Sequence, residues 1–209
     1  KALTKPSDFA PQANYILALS YLNTKQSEEA LKVFQKILRL YPDHSGVAQN
    51  ADLGVAKCLY EMGQIKEAVK RFKLIVFKYP KTAIEQEALL WLAQYAMKNA
   101  LYDEAVSHYG RILEHFPDSM QLDQIHYELA QAYEVQSLGD QALAQYNAVS
   151  DKDPVLYSKV KLAIAGILSK EFDPQKAIDA YEHIAQTNPD YARDAYLKMG
   201  QLYRNIQNY

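Results

Sequence analysis

The 209 residues contain one cysteine, one tryptophan and seven glycines. A single thiol, Cys58, can form no intrachain disulfide, and it does not fix the redox compartment. Its mid-helix place in the pattern below predicts burial rather than reactivity. So few glycines leave little to oppose helix. No apolar run approaches the roughly 18 residues that would span a bilayer, and no N-terminal stretch reads as a signal peptide. The net charge of −2 argues against a nucleic-acid binder. A Gly-rich phosphate loop, a Gly-x-Ser-x-Gly elbow and a His-Glu-x-x-His pair are all absent. Nothing therefore points to an enzyme, a cofactor or a metal. His108 and His115 lie two helical turns apart, but no Cys or third His shares their segment, so they read as solvated.

The chain instead repeats itself. Residues 29–42 read EALKVFQKILRLYP, 67–80 EAVKRFKLIVFKYP, 104–117 EAVSHYGRILEHFP, 141–154 QALAQYNAVSDKDP and 176–189 KAIDAYEHIAQTNP. One frame fits all five. Alanine stands second, at Ala30, Ala68, Ala105, Ala142 and Ala177. An aromatic follows four later, at Phe34, Phe72, Tyr109, Tyr146 and Tyr181. A β-branched residue follows seven later, at Ile37, Ile75, Ile112, Val149 and Ile184, and a proline closes each unit. Spacings of i, i+4 and i+7 describe one face of a helix, and proline ends it. Self-similarity at a period of 35–38 residues predicts stacked repeats.

A second helix precedes each of these. Twelve residues before every anchor alanine stands another alanine, Ala18, Ala56, Ala93, Ala130 or Ala165. Small residues there let two helix axes approach closely. Residues 82–85 (TAIE) predict a capping box, with Thr82 as N-cap and Glu85 reaching back. Asp153–Pro154 and Asp173–Pro174 each place an N-cap before a first-turn proline. Glu28–Glu29 and Asp103–Glu104 open second helices, at their positive ends. Gly63 and Gly139 are expected in the turns between paired helices. The residues beyond the usual period fall after the prolines, so the first helix of each pair is expected to be the longer.

A helix–turn–helix unit with Leu-Ala-x-x-Tyr, then Ala-x-x-x-Phe, then Pro, five times in register, resembles the tetratricopeptide repeat. The resemblance implies an all-α, right-handed superhelical solenoid of stacked antiparallel helix pairs. Residues 1–11 are read as a lead-in and 12–209 as one solenoid. Its repeats fall at about 12–42, 46–80, 83–117, 120–154 and 155–189, with part of a sixth at 190–209. The sixth carries the first-helix signature as Met199, Gly200 and Tyr203, then stops at Tyr209. With Lys1 rather than Met at the start, this predicts a fragment of a longer chain, with a capping last helix as the alternative. The Tyr-Pro and Phe-Pro endings are similar to repeats of bacterial envelope proteins. Examples are the tol–pal-associated cell-division coordinator and the outer-membrane assembly lipoproteins. That likeness implies a periplasmic or cell-envelope location, with the cytoplasm as the alternative.

In this family the first helices line a concave face on which peptides dock. Carried onto this sequence, the groove residues are Tyr15, Leu19, Leu53, Lys57, Tyr60, Leu90, Gln94, Met97, Tyr127 and Gln131. Farther along, Glu134, Leu162, Gly166, Ser169, Leu197, Gln201 and Arg204 hold the same places. The family's chaperone-tail clamp needs Lys and Asn at sites that here carry Tyr15, Leu53 and Leu90, then Leu19, Lys57 and Gln94. An apolar peptide face, with glutamines bonding to its backbone, suits the groove better. The bland alternative is that these residues only pack against neighbouring helices. A second contact patch is expected at Lys70, Lys73, Leu74 and Phe77, because repeat two alone has two large apolar residues on its outer face. Residues 1–80 carry +5 and residues 81–209 carry −7, a polarity that can steer a charged partner. The expected function is a non-catalytic scaffold for a protein or peptide partner. The alternative is an architectural spacer that assembles with copies of itself.

Overall fold

The computed structural model describes residues 9–207, without the side chains of Ser45, Glu171, Phe172 and Gln207. Residues 1–8 of the expected lead-in, and 208–209 of the expected sixth repeat, lie outside them. Every regular element among the described residues is helical. First helices are α1 (Ala10–Asn23), α3 (Ser45–Glu61), α5 (Ala83–Lys98), α7 (Leu122–Val135), α9 (Pro154–Ile167) and α11 (Pro189–Gln207). Second helices are α2 (Ser27–Leu40), α4 (Ile65–Lys78), α6 (Tyr102–His115), α8 (Gly139–Tyr146) and α10 (Pro174–Thr187). The chain forms two compact units, Lys1–Tyr95 and Ala96–Tyr209.

Within each unit the sequence frame is the packing frame. The five anchor alanines and the five first-helix alanines are all wholly buried. Between them sit Phe34, Phe72, Tyr109, Tyr146 and Tyr181, none more than 3% exposed, and the five β-branched residues that follow. In the first unit α1 packs on α2, α2 on α3 and α3 on α4, and α1 also touches α3. In the second unit the order runs from α6 to α11, and α7 also touches α9. Alanine at both crossing points is what lets an aromatic ring fill the seam.

The turns inside the repeats share one geometry. Lys25, Gly63, Ala100 and Ser137 have φ of 60°, 74°, 58° and 59°. Each lies five residues before an anchor alanine. The next N–H closes the preceding helix, as in Gln26 N to Tyr21 O at 2.8 Å and Leu101 N to Ala96 O at 2.9 Å. This is a left-handed C-terminal cap. Gly139 is thus not the turn residue: it is buried in the first turn of α8, and Ser137 takes the left-handed position. In the fifth repeat a π-helical turn, Leu168–Phe172, extends α9, and Asp173 N closes it on Leu168 O at 2.9 Å.

The N-caps form as expected. Asp153 accepts from Val155 N and Leu156 N at 2.9 and 3.1 Å, and Asp173 from Gln175 N and Lys176 N at 3.0 and 3.2 Å. At α5, Glu85 N donates to Thr82 Oγ1 at 3.3 Å, while the Glu85 carboxylate accepts from Lys81 N, one residue earlier than a strict capping box. First helices are longer only in part: α3 has 17 residues and α5 16, but α7 and α9 have 14, like α2, α4, α6 and α10. Helix α8 has 8 and stops before Asn147. Asn147, Ser150 and Asp151 favour turns over helix interiors. Asp123 of α7 then captures Ser150, accepting from its N at 2.8 Å and its Oγ at 2.5 Å.

Candidate functional site

The first-helix face of the first unit is built around aromatic rings. Trp91 of α5 stacks on Phe72 at 4.0 Å between centroids and on Tyr95 at 5.3 Å, and Tyr60 of α3 meets its edge at 5.2 Å. The repeat frame points to Tyr60 but not to Trp91 or Tyr95; the lone tryptophan one residue after Leu90 is the signal that marks them. Lys57 reaches across to Glu87 at 2.5 Å, so this ion pair links α3 to α5. Leu53 is buried at 4% exposure and belongs to the core. Leu19 and Leu90 are half-buried, and Gln94 is exposed. Tyr15 leans on Phe34 of its own repeat, with centroids 6.0 Å apart.

Tyr127 repeats that last relationship in the second unit, 5.8 Å from Tyr146. Gln131 donates to the Tyr127 hydroxyl at 3.2 Å, and Met97 is half-buried. Glu134, one turn beyond Gln131, accepts the Tyr146 hydroxyl at 2.9 Å. Burial first, and the Glu134 carboxylate second, push the phenols of Tyr127, Tyr146 and Tyr181 above their ordinary range.

Glu134 and Tyr181 border a pocket of about 410 Å³. It draws Glu134 from α7, Leu162, Gly166 and Ser169 from α9 and its π-helical turn, and Gln201 from α11. All five stand at groove positions of the repeat frame. Tyr181 of α10 lies beneath, and a Cβ on Gly166 would stand 3.6 Å from its hydroxyl. Lys170 and Lys198 join the lining, and sequence spacing did not find them. Lys170 sits in the π-helical turn, where the ordinary helical phase no longer tells which way a side chain faces.

On α4 the two apolar residues expected in a second contact patch are exposed. Leu74 is 47% exposed and Phe77 83%. Lys70 pairs with Glu67 at 3.3 Å, and Lys73 is exposed. Two cations of the same helix turn the other way: Arg71 and Lys78, with the Tyr79 hydroxyl, converge on the buried Asp52. Among the described residues no cluster of His, Cys, Asp and Glu could hold a metal ion, and no helix is long and apolar enough to cross a membrane.

Models of the tetratricopeptide repeat match residues 21–91 and 87–119. No curated protein matches the chain in sequence. Among solved structures, the chain is similar to YrrB, described as a TPR protein with an unusual peptide-binding site. The identity is 17%, the coverage 88% of this chain and 90% of that one, and the TM-score 0.67. A MamA structure from Desulfovibrio magneticus RS-1 is 16% identical over 86% of this chain and 96% of its own, with a TM-score of 0.65. A Podosopora anserina putative kinesin light chain with nearly identical TPR-like repeats is 16% identical over 89% and 99%, with a TM-score of 0.60. At these identities the likeness is one of fold: an all-α solenoid of stacked helix pairs. The repeat models cover residues 21–119, and over the chain as a whole the likeness is to the fold of tetratricopeptide-repeat structures.

Proposed function

We propose that the chain is a non-catalytic scaffold that docks a peptide or protein segment on the first-helix faces of its repeats. The reading rests on one observation above the others. First helices of three successive repeats leave a 410 Å³ pocket between them instead of closing on one another, and its lining mixes carboxylate, amide, hydroxyl and ammonium groups. Such a lining suits a peptide backbone with polar side chains. In the first unit, the half-buried Tyr60, Trp91 and Tyr95 offer aromatic anchors of the kind that dominate protein interfaces. YrrB, of like fold, is itself described as peptide-binding, which supports the class of partner and not its identity.

The test is an affinity capture from lysate with the wild-type chain, Leu90→Asp and Gly166→Phe run side by side. Circular dichroism confirms that each is folded. A partner lost from either variant supports docking on that face. Equal retention by both sinks the groove. The second reading, a spacer that contacts copies of itself, draws on exposed Leu74 and Phe77. It requires a mass that rises with concentration and falls back in Phe77→Asp. An envelope location is proposed on the Tyr-Pro and Phe-Pro endings alone, and fractionation of the producing cells decides it.

A further inference from the structure

Asp52 and Arg71 hold two matched places in the repeat frame: four residues before the first-helix alanine, and three after the anchor alanine. In repeat two this pair is completed by Lys78 and Tyr79 at the end of α4. In repeat four the same two places carry His126 and Gln145, and Nδ1 meets Oε1 at 2.9 Å. In repeat five they carry Lys161 and Ala180, and Thr187 and Asn188 stand where repeat two has Lys78 and Tyr79. Alanine cannot reach across, and a cavity of about 360 Å³ remains between α9 and α10. Ile164, Ala180 and Ile184 give it an apolar floor. The Lys161 ammonium lies over the Tyr157 ring, 4.8 Å from its centroid, which orients the charge without neutralising it. No Asp or Glu lines the cavity, and among the described residues Lys161 has no carboxylate partner. Asn188 Nδ2 donates to Ser158 Oγ at 2.5 Å, tying the end of α10 to α9 and keeping a second N–H to give.

We propose that this cavity binds a glutamate side chain of an acidic peptide segment, with its carboxylate on Lys161 and its methylene stem on Ile164, Ala180 and Ile184. Charge complementarity decides the occupant. Repeat two closes the same place with one carboxylate among cations. Repeat five keeps a cation there and lacks the carboxylate. Lys161 is half-buried beside apolar walls, where a charge-assisted hydrogen bond is worth more than in open water. The cavity is also of a size ordinary for ligand pockets. It is separate from the groove, since none of its lining residues belongs to the 410 Å³ pocket.

The probe is the capped peptide acetyl-Leu-Glu-Leu-amide, titrated into the isotopically labelled whole chain and followed by NMR. Saturable shifts are expected at Ser158, Lys161 and His183. The same peptide with Gln for Glu should bind at least ~10-fold more weakly, and so should the Glu peptide to Lys161→Met. Lys161→Met keeps the stem and strands no partner, so its circular dichroism should stay unchanged. Ala180→Glu supplies the carboxylate in cis and should also block the peptide. Gly166→Phe fills the groove pocket and should leave this binding as it was, so failure here and failure of the groove reading are told apart. Absence of saturable shifts overturns the proposal, as does equal binding of the Glu and Gln peptides or undiminished binding by Lys161→Met. Acetate ion matching the peptide at equal concentration also overturns it, because the site would then take any small anion. So does a chain mass that rises with concentration and falls back in Lys161→Met, because the occupant would then be a second copy.

Discussion

The ring of Phe34 rests against the backbone of Gly54. A Cβ on Gly54 would stand 2.6 Å from Cε1 and Cε2 of that ring, closer than real Cβ atoms approach. Phe34 cannot retreat, because it is wholly buried and Tyr15 tilts against it. Gly54→Ala is expected to destabilise the chain by about 1–2 kcal/mol in urea unfolding, overpacking outweighing the ~1 kcal/mol that alanine gains in a helix. In the Phe34→Leu background the same substitution should cost less. A stabilising Gly54→Ala would sink this account.

This contact marks where the sequence was readable. The ten alanines, five aromatics and five β-branched residues of the seam were legible because one steric requirement recurs at every crossing. Phe34 and Ala30 announced a tight seam, but nothing in the pattern said that repeat two would need a glycine opposite the ring. The Asp52 cluster was illegible for a different reason. Its partners lie 19, 26 and 27 residues away, and nothing in the repeat frame ties Arg71, Lys78 or Tyr79 to Asp52. The groove positions Glu134, Leu162, Gly166, Ser169 and Gln201 came from carrying the concave-face sites of the family the chain resembles onto the repeat frame. Lys170 did not, because a π-helical turn shifts the phase just before it is reached.

The left-handed turn residues give a second test. Lys25, Ala100 and Ser137 hold a conformation that costs an L-residue roughly 1 kcal/mol, while repeat two places Gly63 there. Ala100→Gly is expected to stabilise by about 0.5–1 kcal/mol, against the usual direction of an alanine-to-glycine change. Gly63→Ala should cost about 1 kcal/mol. Thermal unfolding of the two variants beside wild type reads both signs at once. Destabilisation by Ala100→Gly would mean that the turn is held by something other than its backbone.

Asp52 offers a third. The residue is 1% exposed and its carboxylate accepts from Arg71, Lys78 and Tyr79, while Arg71 Nε is buried without a partner. Asp52→Ala would strand the Arg71 guanidinium, and losing one partner of a buried pair costs about 3–5 kcal/mol. Lys78 is half exposed, so Lys78→Ala should cost less than ~1 kcal/mol. The double replacement Asp52→Leu/Arg71→Met is expected to recover much of the loss, since apolar pairs of similar volume often replace buried ion pairs without penalty. Equal losses for Asp52→Ala and Lys78→Ala would show the cluster to be a surface network after all.

Alkaline pH tests the seam through its titratable members. Cys58 is wholly buried, and burial first, then nearby Glu61, pushes its thiol up to about 11. Burial and hydrogen bonds to Glu128 and Glu134 likewise raise the phenols of Tyr109 and Tyr146. A folded pKa above the unfolded one means that the unfolded chain releases its proton first. The stability these groups contribute is therefore intact below their unfolded pKa values, roughly 8.5 for the thiol and 10 for the phenols, and is lost as pH rises beyond them. Urea midpoints should hold steady from pH 7 to about 8.5. They should then fall by the equivalent of about 1 kcal/mol over the next pH unit, and faster above pH 10. Cys58→Ala should start lower, through its small cavity, and stay flat between pH 8.5 and 9.5. Cys58 is wholly buried in the folded wild type, so at pH 8 a disulfide reagent should label it only as fast as the chain opens. Labelling at the speed of a free thiol would place Cys58 at the surface and remove the first step of the alkaline decline.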